Sequence, residues 1–485
     1  MTSEDRSRWI ALYVLCAGVL MIVLDVTIVN VALPSIQDDL GFTNASLAWV
    51  VNAYLIAFGG LLLLAGRLGD LIGRRTIFLA GLAVFTGASL LCGLAQSEGM
   101  LVAARFVQGI GGAMTSAVVL GMIVTMFSEP REQAKAIGVY AFVASAGGSV
   151  GLLLGGVITQ AISWHWIFFV NVPIGIATAI YTRRLLDRDA GIGLDKGADV
   201  PGAVLITGAL MLGVYTIVKP AAEDGWGATS TLALGAVSLA LLIGFVVREA
   251  AARTPLVPLR IFRSRNVAGA NLIQVLSVAG MFGVFFLGSL YLERVLHYSA
   301  LEIGLAFLPV TLVMGTLSVR YSEQLVMRFG ARTCLFPGLG MIALALVYFT
   351  RAPVDGNYVT DILPVMVLLG AGAGTCFPAL MTLAMSGATP ADAGLASGLV
   401  NTSAQAGGAL GLAILATLSS SRTDHLLADG SSHAAALTGG YHVSFWIAAA
   451  LIVACIVVGL VVVEAPEKAA AHVAEEHGEL ACETA

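Results

Sequence analysis

The chain has 485 residues, of which 58% are hydrophobic and 11% charged, whereas soluble domains carry about 25% charged residues. That composition excludes a soluble globular protein and implies repeated membrane crossing. The formal net charge of −5 excludes little, because in a membrane protein the placement of charges matters more than their sum.

Arg6 and Arg8 precede a first apolar run over 9–31. The run continues past Asp25 to Val31 with no small-residue cleavage site, so an uncleaved first helix is expected rather than a signal peptide. Thirteen further segments of spanning length follow: 47–66, 77–96, 100–127, 136–160, 165–183, 200–219, 229–248, 267–291, 302–320, 333–351, 361–384, 393–418 and 441–463. The reading is an all-α membrane protein with fourteen transmembrane helices. An even count puts both termini on one side. Placing them in the cytoplasm puts 20 of the 25 lysines and arginines in inner loops and four in outer ones, with Arg105 inside a helix. The positive-inside rule then predicts a multi-pass protein of the cytoplasmic (inner) membrane. Five of the six cysteines lie in apolar runs, and no spacing suggests disulfides or a metal site.

The chain repeats itself. Ala146-Gly-Gly-Ser-Val-Gly-Leu152 matches Ala406-Gly-Gly-Ala-Leu-Gly-Leu412, Gly109-x-Gly111 matches Gly370-x-Gly372, and Gly73-Arg-Arg75 matches Gly330-Ala-Arg332. Two parallel six-helix halves are expected, 1–190 and 266–465, with two additional helices and a cytoplasmic connection in 191–265 and an acidic tail in 466–485.

Between the second and third segments lies Gly66-Arg67-Leu-Gly-Asp70-Leu-Ile-Gly73-Arg74-Arg75. It reads as a short cytoplasmic hinge in which glycines let two helix ends approach and Asp70 sits among cations. Its spacing, G-x-L-x-D-x-x-G-R-R, resembles the loop signature of the major facilitator superfamily. The 6+2+6 plan is similar to the superfamily's fourteen-helix drug:proton antiporter branch. In that family the hinge implies a conformational latch, carried here by Gly66, Arg67, Asp70, Gly73, Arg74 and Arg75.

Four further stretches carry the resemblance. Leu24-Asp25-Val-Thr27-Ile-Val-Asn30-Val-Ala-Leu-Pro34 resembles the first-helix signature of the branch. Asp25 is a carboxylate in an apolar run, where a charge normally faces a cavity or a partner and marks an ion path; the alternative is an acid reaching the interface. Arg105-Phe-Val-Gln108-Gly109-Ile-Gly111-Gly112 resembles the R-x-x-Q-G signature of the fourth helix; Arg105 either pairs with Asp25 at similar depth or snorkels outward. Gly147, Gly148, Gly151, Gly155 and Gly156 on the fifth helix resemble the glycine signature of exporters, with Leu152 where that pattern has proline; a plain packing stripe is the other reading. Trp164-His165-Trp166-Ile-Phe-Phe-Val-Asn171-Val-Pro173 also resembles this branch, with His165 read as part of an interfacial aromatic belt.

In the second half Met366 stands where Arg105 does and Met327 where Asp70 does. The polar groups inside its helices are amides, among them Asn271, Gln274, Asn401 and Gln405. With Asn30 and Gln108 they are candidates for a substrate path, helix–helix contacts being the alternative.

The resemblance implies a secondary active transporter, not an enzyme, that exports amphipathic organic compounds such as drugs and antibiotics in exchange for protons by alternating access. Asp25 and Arg105 would be its proton-coupling pair. An importer or facilitator of the same fold is the alternative within transport, and a membrane receptor or enzyme the alternative outside it. No G-x-x-x-x-G-K-[ST] occurs, so a proton gradient rather than a nucleotide or other cofactor is expected. The expected partners are small hydrophobic or amphipathic molecules, protons and the lipid bilayer, with no nucleic acid and no metal; a monomer is expected.

Overall fold

The computed structural model describes residues 3–464 apart from 43, 48, 188, 194–198, 219, 221–223, 253–254, 256, 258, 299 and 387–392. The acidic tail at 466–485 and part of the 191–265 connection therefore lie outside the described residues. Among the described residues the regular structure is helical throughout.

In the first half α1 is Ser3–Leu40, α2 Trp49–Ile72, α3 Arg74–Gly93, α4 Glu98–Met126, α5 Pro130–Ala161 and α6 Asn171–Leu185. The two additional helices are α7, Val200–Val218, and α8, Thr229–Ala251. The second half holds α9, Arg265–Arg294; α10, which starts as Ala300–Gly315, widens into a π turn over Thr316–Tyr321 and resumes as Ser322–Phe329; α11, Ala331–Phe349; α12, Leu363–Met385; α13, Ala393–Ala428; and α14, His433–Val461. Thirteen of these are long and apolar enough to cross a membrane. The 32-residue α5, which lies along α1, occupies the remaining expected segment.

Local chemistry sets several helix ends. Ser97, Ser264 and Ser432 each accept a hydrogen bond from the backbone N–H three residues on, capping α4, α9 and α14. Pro130 opens α5. The hinge glycines Gly73 (φ 111°) and Gly330 (φ 80°) take a left-handed backbone at equivalent places in the two halves, where any side chain would be strained.

The repeat is also a packing rule. Gly109 meets the Tyr54 carbonyl of α2, and Gly370 the Val310 carbonyl of α10. Gly111 meets the backbone of Phe85 in α3, and Gly372 that of Gly338 in α11. In each half the fourth helix is thus pressed between the second and third, main chain against main chain. α7 and α8 form a hairpin whose α7 lies against α2 and touches α13. At its inner end Arg248 forks onto Asp199 at 3.2 Å for each bond.

The halves meet through α2 and α4 against α13, and through α5 against α10 and α12. The close approaches lie toward the ends that carry the Gly66–Arg75 hinge, the face that the charge distribution predicts to be inner. Gly66 faces the Gly394 carbonyl and Gly398, Gly121 faces Ala393, and Gly138 faces Ser318 and Ser322. Arg131, at the start of α5, pairs with Glu323 of α10. The inner face is closed.

A Cβ added at Gly66 would sit 2.6 Å from the Gly394 carbonyl oxygen. Gly66→Val is therefore expected to wedge the inner face open. Cysteine labelling from the two sides of the membrane should show more inward and less outward accessibility; an unchanged labelling pattern would contradict this closure.

Candidate functional site

α1 continues past Val31 to Leu40, so Asp25 lies in the interior of a helix rather than near its end. Its residue surface is 1% exposed, as is that of Arg105. Arg105 Nη1 donates to Asp25 Oδ2 at 2.6 Å, joining α1 to α4. Gln108 Nε2 and Asn171 Nδ2 both donate to Asp25 Oδ1, at 2.8 and 2.9 Å. The carboxylate thus receives three N–H groups.

Arg105 is held in turn. Its Nε donates to the Val50 carbonyl at 2.9 Å, and Nη1 also reaches Gln108 Oε1 at 2.6 Å. The guanidinium lies over the Tyr54 ring, 4.4 Å from its centroid, with Phe168 at 5.8 Å. Aromatic faces favour a desolvated cation there. Ser89 Oγ on α3 accepts from Gln108 Nε2 at 2.6 Å and from Asn171 Nδ2 at 3.2 Å. One carboxylate therefore gathers α1, α2, α3, α4 and α6. An isolated charge in this setting would be prohibitive; a paired and hydrogen-bonded one is tolerable.

Sequence reasoning singled out Asp25, Arg105 and Gln108 but missed Ser89 and Tyr54, and it quoted Asn171 only as part of a motif. An isolated serine or tyrosine in an apolar helix carries no periodic signal. The polar Asn171, directly after the aromatic run, was the available hint.

The glycines of α5 pack on the stretch of α1 that carries Asp25. Gly147 meets Val23, Gly151 meets Thr27 and the Leu24 carbonyl, and Gly155 meets Ile28. A Cβ added at Gly148 would lie 3.9 Å from the Thr27 side chain, and Gly156 is half-buried. The side chains of Leu152 and Asn30 lie outside the described residues.

At the inner face Asp70 accepts from the backbone N–H groups of Gly394 (2.8 Å) and Leu395 (2.7 Å), at the start of α13. A carboxylate there satisfies free N–H donors and the positive end of the helix dipole. Arg74 grips the same Asp70 through Nε and Nη2 at 2.9 and 2.8 Å. The backbone N–H groups of Arg74 and Arg75 donate to Asp189, which caps α3, and Arg75 Nη2 donates to the Arg183 carbonyl. Arg67 is buried at the inner end of α2.

The amides of the second half do different things. Asn271 accepts from Ser403 Oγ at 3.0 Å and so joins α9 to α13. Asn401 donates to the carbonyls of Ser397 (2.9 Å) and Ser116 (3.4 Å). It therefore ties α13 to α4 across the two halves. Gln405 is partly buried on α13. Gln274 is buried, and its Oε1 has no hydrogen-bond partner among the described residues. Met366 is buried where its counterpart in the first half is Arg105.

The family profile described as Major Facilitator Superfamily matches residues 15–412. This chain belongs to the major facilitator superfamily. Among curated superfamily members, the puromycin resistance protein of Streptomyces alboniger is 39% identical over 472 residues, covering 96% of this chain and 93% of its own. The cephamycin export protein of Amycolatopsis lactamdurans is 41% identical over 435 residues, covering 89% of each chain. Among solved structures, the human organic anion transporter MFSD10 superposes with a TM-score of 0.65 at 15% identity, covering 93% of this chain and all of that one. The proton:xylose symporter XylE superposes at 0.60 with 16% identity, covering 92% and 95%. At such identities these likenesses establish the superfamily fold alone.

Two expectations follow from this geometry. Asp70→Asn removes the charge facing α13 and Arg74; turnover should fall while equilibrium substrate binding stays within severalfold, and a collapse of binding in a well-folded variant would refute an effect on conformational exchange alone. Gly151→Leu would drive a side chain into Thr27 beside Asp25; transport should be lost or become leaky at normal membrane insertion, as flux and counterflow assays on the same vesicles would report.

Proposed function

We propose that the chain is a secondary active exporter that moves amphipathic organic compounds, antibiotics among them, out of the cell in exchange for protons. The observation that carries the proton side is the fully buried Asp25, the carboxylate enclosed by Arg105, Gln108 and Asn171. Export and antibiotic chemistry are supported by relatives whose names record resistance and export and whose matches run over most of both chains.

The cycle uses the superfamily's alternation of two bundles. With the inner face closed, Asp25 takes a proton arriving from outside, which neutralises one partner of the Asp25–Arg105 pair. The Asp70 tie to α13 then releases and the halves rock, so that the proton leaves inward. Substrate taken from the cytoplasm or inner leaflet returns the protein outward. The chain works in the cytoplasmic membrane as a monomer, with both termini in the cytoplasm, driven by the proton gradient without another cofactor.

Asp25→Asn keeps the shape of the protonated form and cannot titrate. It should abolish efflux driven by a proton gradient, at normal expression and with binding of neutral substrates retained. Arg105→Ala should displace the pH optimum. Gradient-driven transport of a panel of lipophilic dyes and antibiotics decides the matter: wild-type rates and pH dependence in Asp25→Asn would remove Asp25 from the mechanism.

A further inference from the structure

The hydrogen bonds around Asp25 suit one charge state only. Oδ1 faces two amide N–H groups, which fill both of its acceptor sites, and Oδ2 faces one guanidinium N–H, so a proton added to Oδ1 would point at a donor. If Oδ1 is protonated it can still accept one N–H bond, and its new O–H needs an acceptor. One of the two carboxamides must therefore turn over.

Gln108 is poorly placed to turn. Its Oε1 already accepts from Arg105 Nη1 at 2.6 Å and from Cys92 Sγ at 3.6 Å, and turning would break both contacts. Asn171 has no such tie: among the described residues its Oδ1 accepts no hydrogen bond, while both recorded bonds of its side chain leave from Nδ2. The second partner of Asn171 is Ser89, a hydroxyl that can accept or donate. It accepts from Asn171 here, and would donate to Asn171 Oδ1 after the turn. Ser89 and Asn171 are both buried, so no solvent stands in for either bond.

We infer that Asn171 and Ser89 form an amide-flip switch that follows the proton on Asp25. With Asp25 charged, Asn171 Nδ2 donates to Oδ1 and to Ser89. When Oδ1 takes a proton from the outer solution, the carboxamide rotates, Oδ1 of Asn171 accepts the new O–H, and the Ser89 hydroxyl reverses to donate. The links of Asn171 to Asp25 Oδ1 and to Ser89 are kept in both states, with donor and acceptor exchanged. The proton is thereby registered on α3 and α6 as well as on α4. These are positioning residues, and the inference rests on Asp25 being the proton site. Among the described residues the other charged or titratable groups near Asp25 are Arg105 from α4, Tyr54 from α2 and Cys92 from α3; α5 meets this turn of α1 with glycines.

The full-length protein in lipid nanodiscs, titrated with infrared difference spectroscopy, tests this without a substrate. A carboxyl band that appears on acidification and is missing in Asp25→Asn defines the Asp25 titration. A hydrogen bond to a charged group is stronger than one to a neutral group, so Asn171→Leu should raise the midpoint of that band by about one pH unit. Ser89→Ala should raise it less, and Ser89→Thr, which keeps the hydroxyl, should restore it. With carbon-13 in the asparagine side chains, an amide carbonyl band absent from Asn171→Leu should shift as Asp25 is protonated. If Asp25→Asn loses no band, the proton site itself is wrong. If the Asp25 band titrates identically in Asn171→Leu, or the labelled carbonyl stays still, the proton site stands and the flip switch is overturned. Asn171→Ser provides the same comparison should the leucine variant not fold.

Discussion

A buried carboxylate needs a cation and donors before the helix that carries it can exist in a membrane. Asp25 obtains them from four other helices: Arg105 and Gln108 from α4, the Tyr54 ring of α2 beneath the guanidinium, Ser89 from α3 and Asn171 from α6. The first bundle is thus organised around one charge pair. Desolvating both charges costs several kcal/mol per ion, and the dense set of hydrogen bonds offsets that cost. The same arrangement makes the bundle sensitive to a single proton, because protonating the carboxylate removes the Coulombic reason for the arrangement. The second bundle has the same packing and, among the described residues, no such pair, with Met366 buried where Arg105 has its counterpart.

Glycine does the complementary work. Within each half it brings main chains into contact, at Gly109 and Gly111 and again at Gly370 and Gly372. Between the halves it does so at Gly66, Gly121, Gly138 and Gly394. The first set makes each bundle stiff; the second makes the inner closure tight. The stripe on α5 adds a third function, since Gly151 lies against the turn of α1 that follows Asp25. A rigid bundle carrying a titrating group and closing on a smooth seam is what rocking motion requires.

Much of this was legible in the sequence. Helix count, the repeat and the hinge followed from apolar runs, glycine spacing and arginine placement, all of which are signals carried along one chain. Asp25 and Arg105 stood out because a charge in an apolar run is costly wherever it falls, although their contact could only be seen in three dimensions. Asp189, Ser89 and Tyr54 were not legible, because their importance comes wholly from which neighbour they meet. The N–H groups of Gly394 and Leu395 that face Asp70 are backbone atoms, invisible to any reading of side chains. Amides divided in a way the sequence left open: Asn271 and Asn401 join helices, and Gln108 belongs with the carboxylate rather than with a separate path.

The two sides of the inner closure differ in kind. One is the buried Asp70 with Arg74 and the start of α13; the other is the Arg131–Glu323 pair, whose arginine is largely exposed. Dissolved ions screen exposed charges over a Debye length of about 8 Å at physiological ionic strength and reach buried ones far less. Raising the salt at that face therefore loosens one edge of the seam and leaves the other fastened. The gate is then a door with a hinge side and a free side, and ionic strength decides how readily the free side swings.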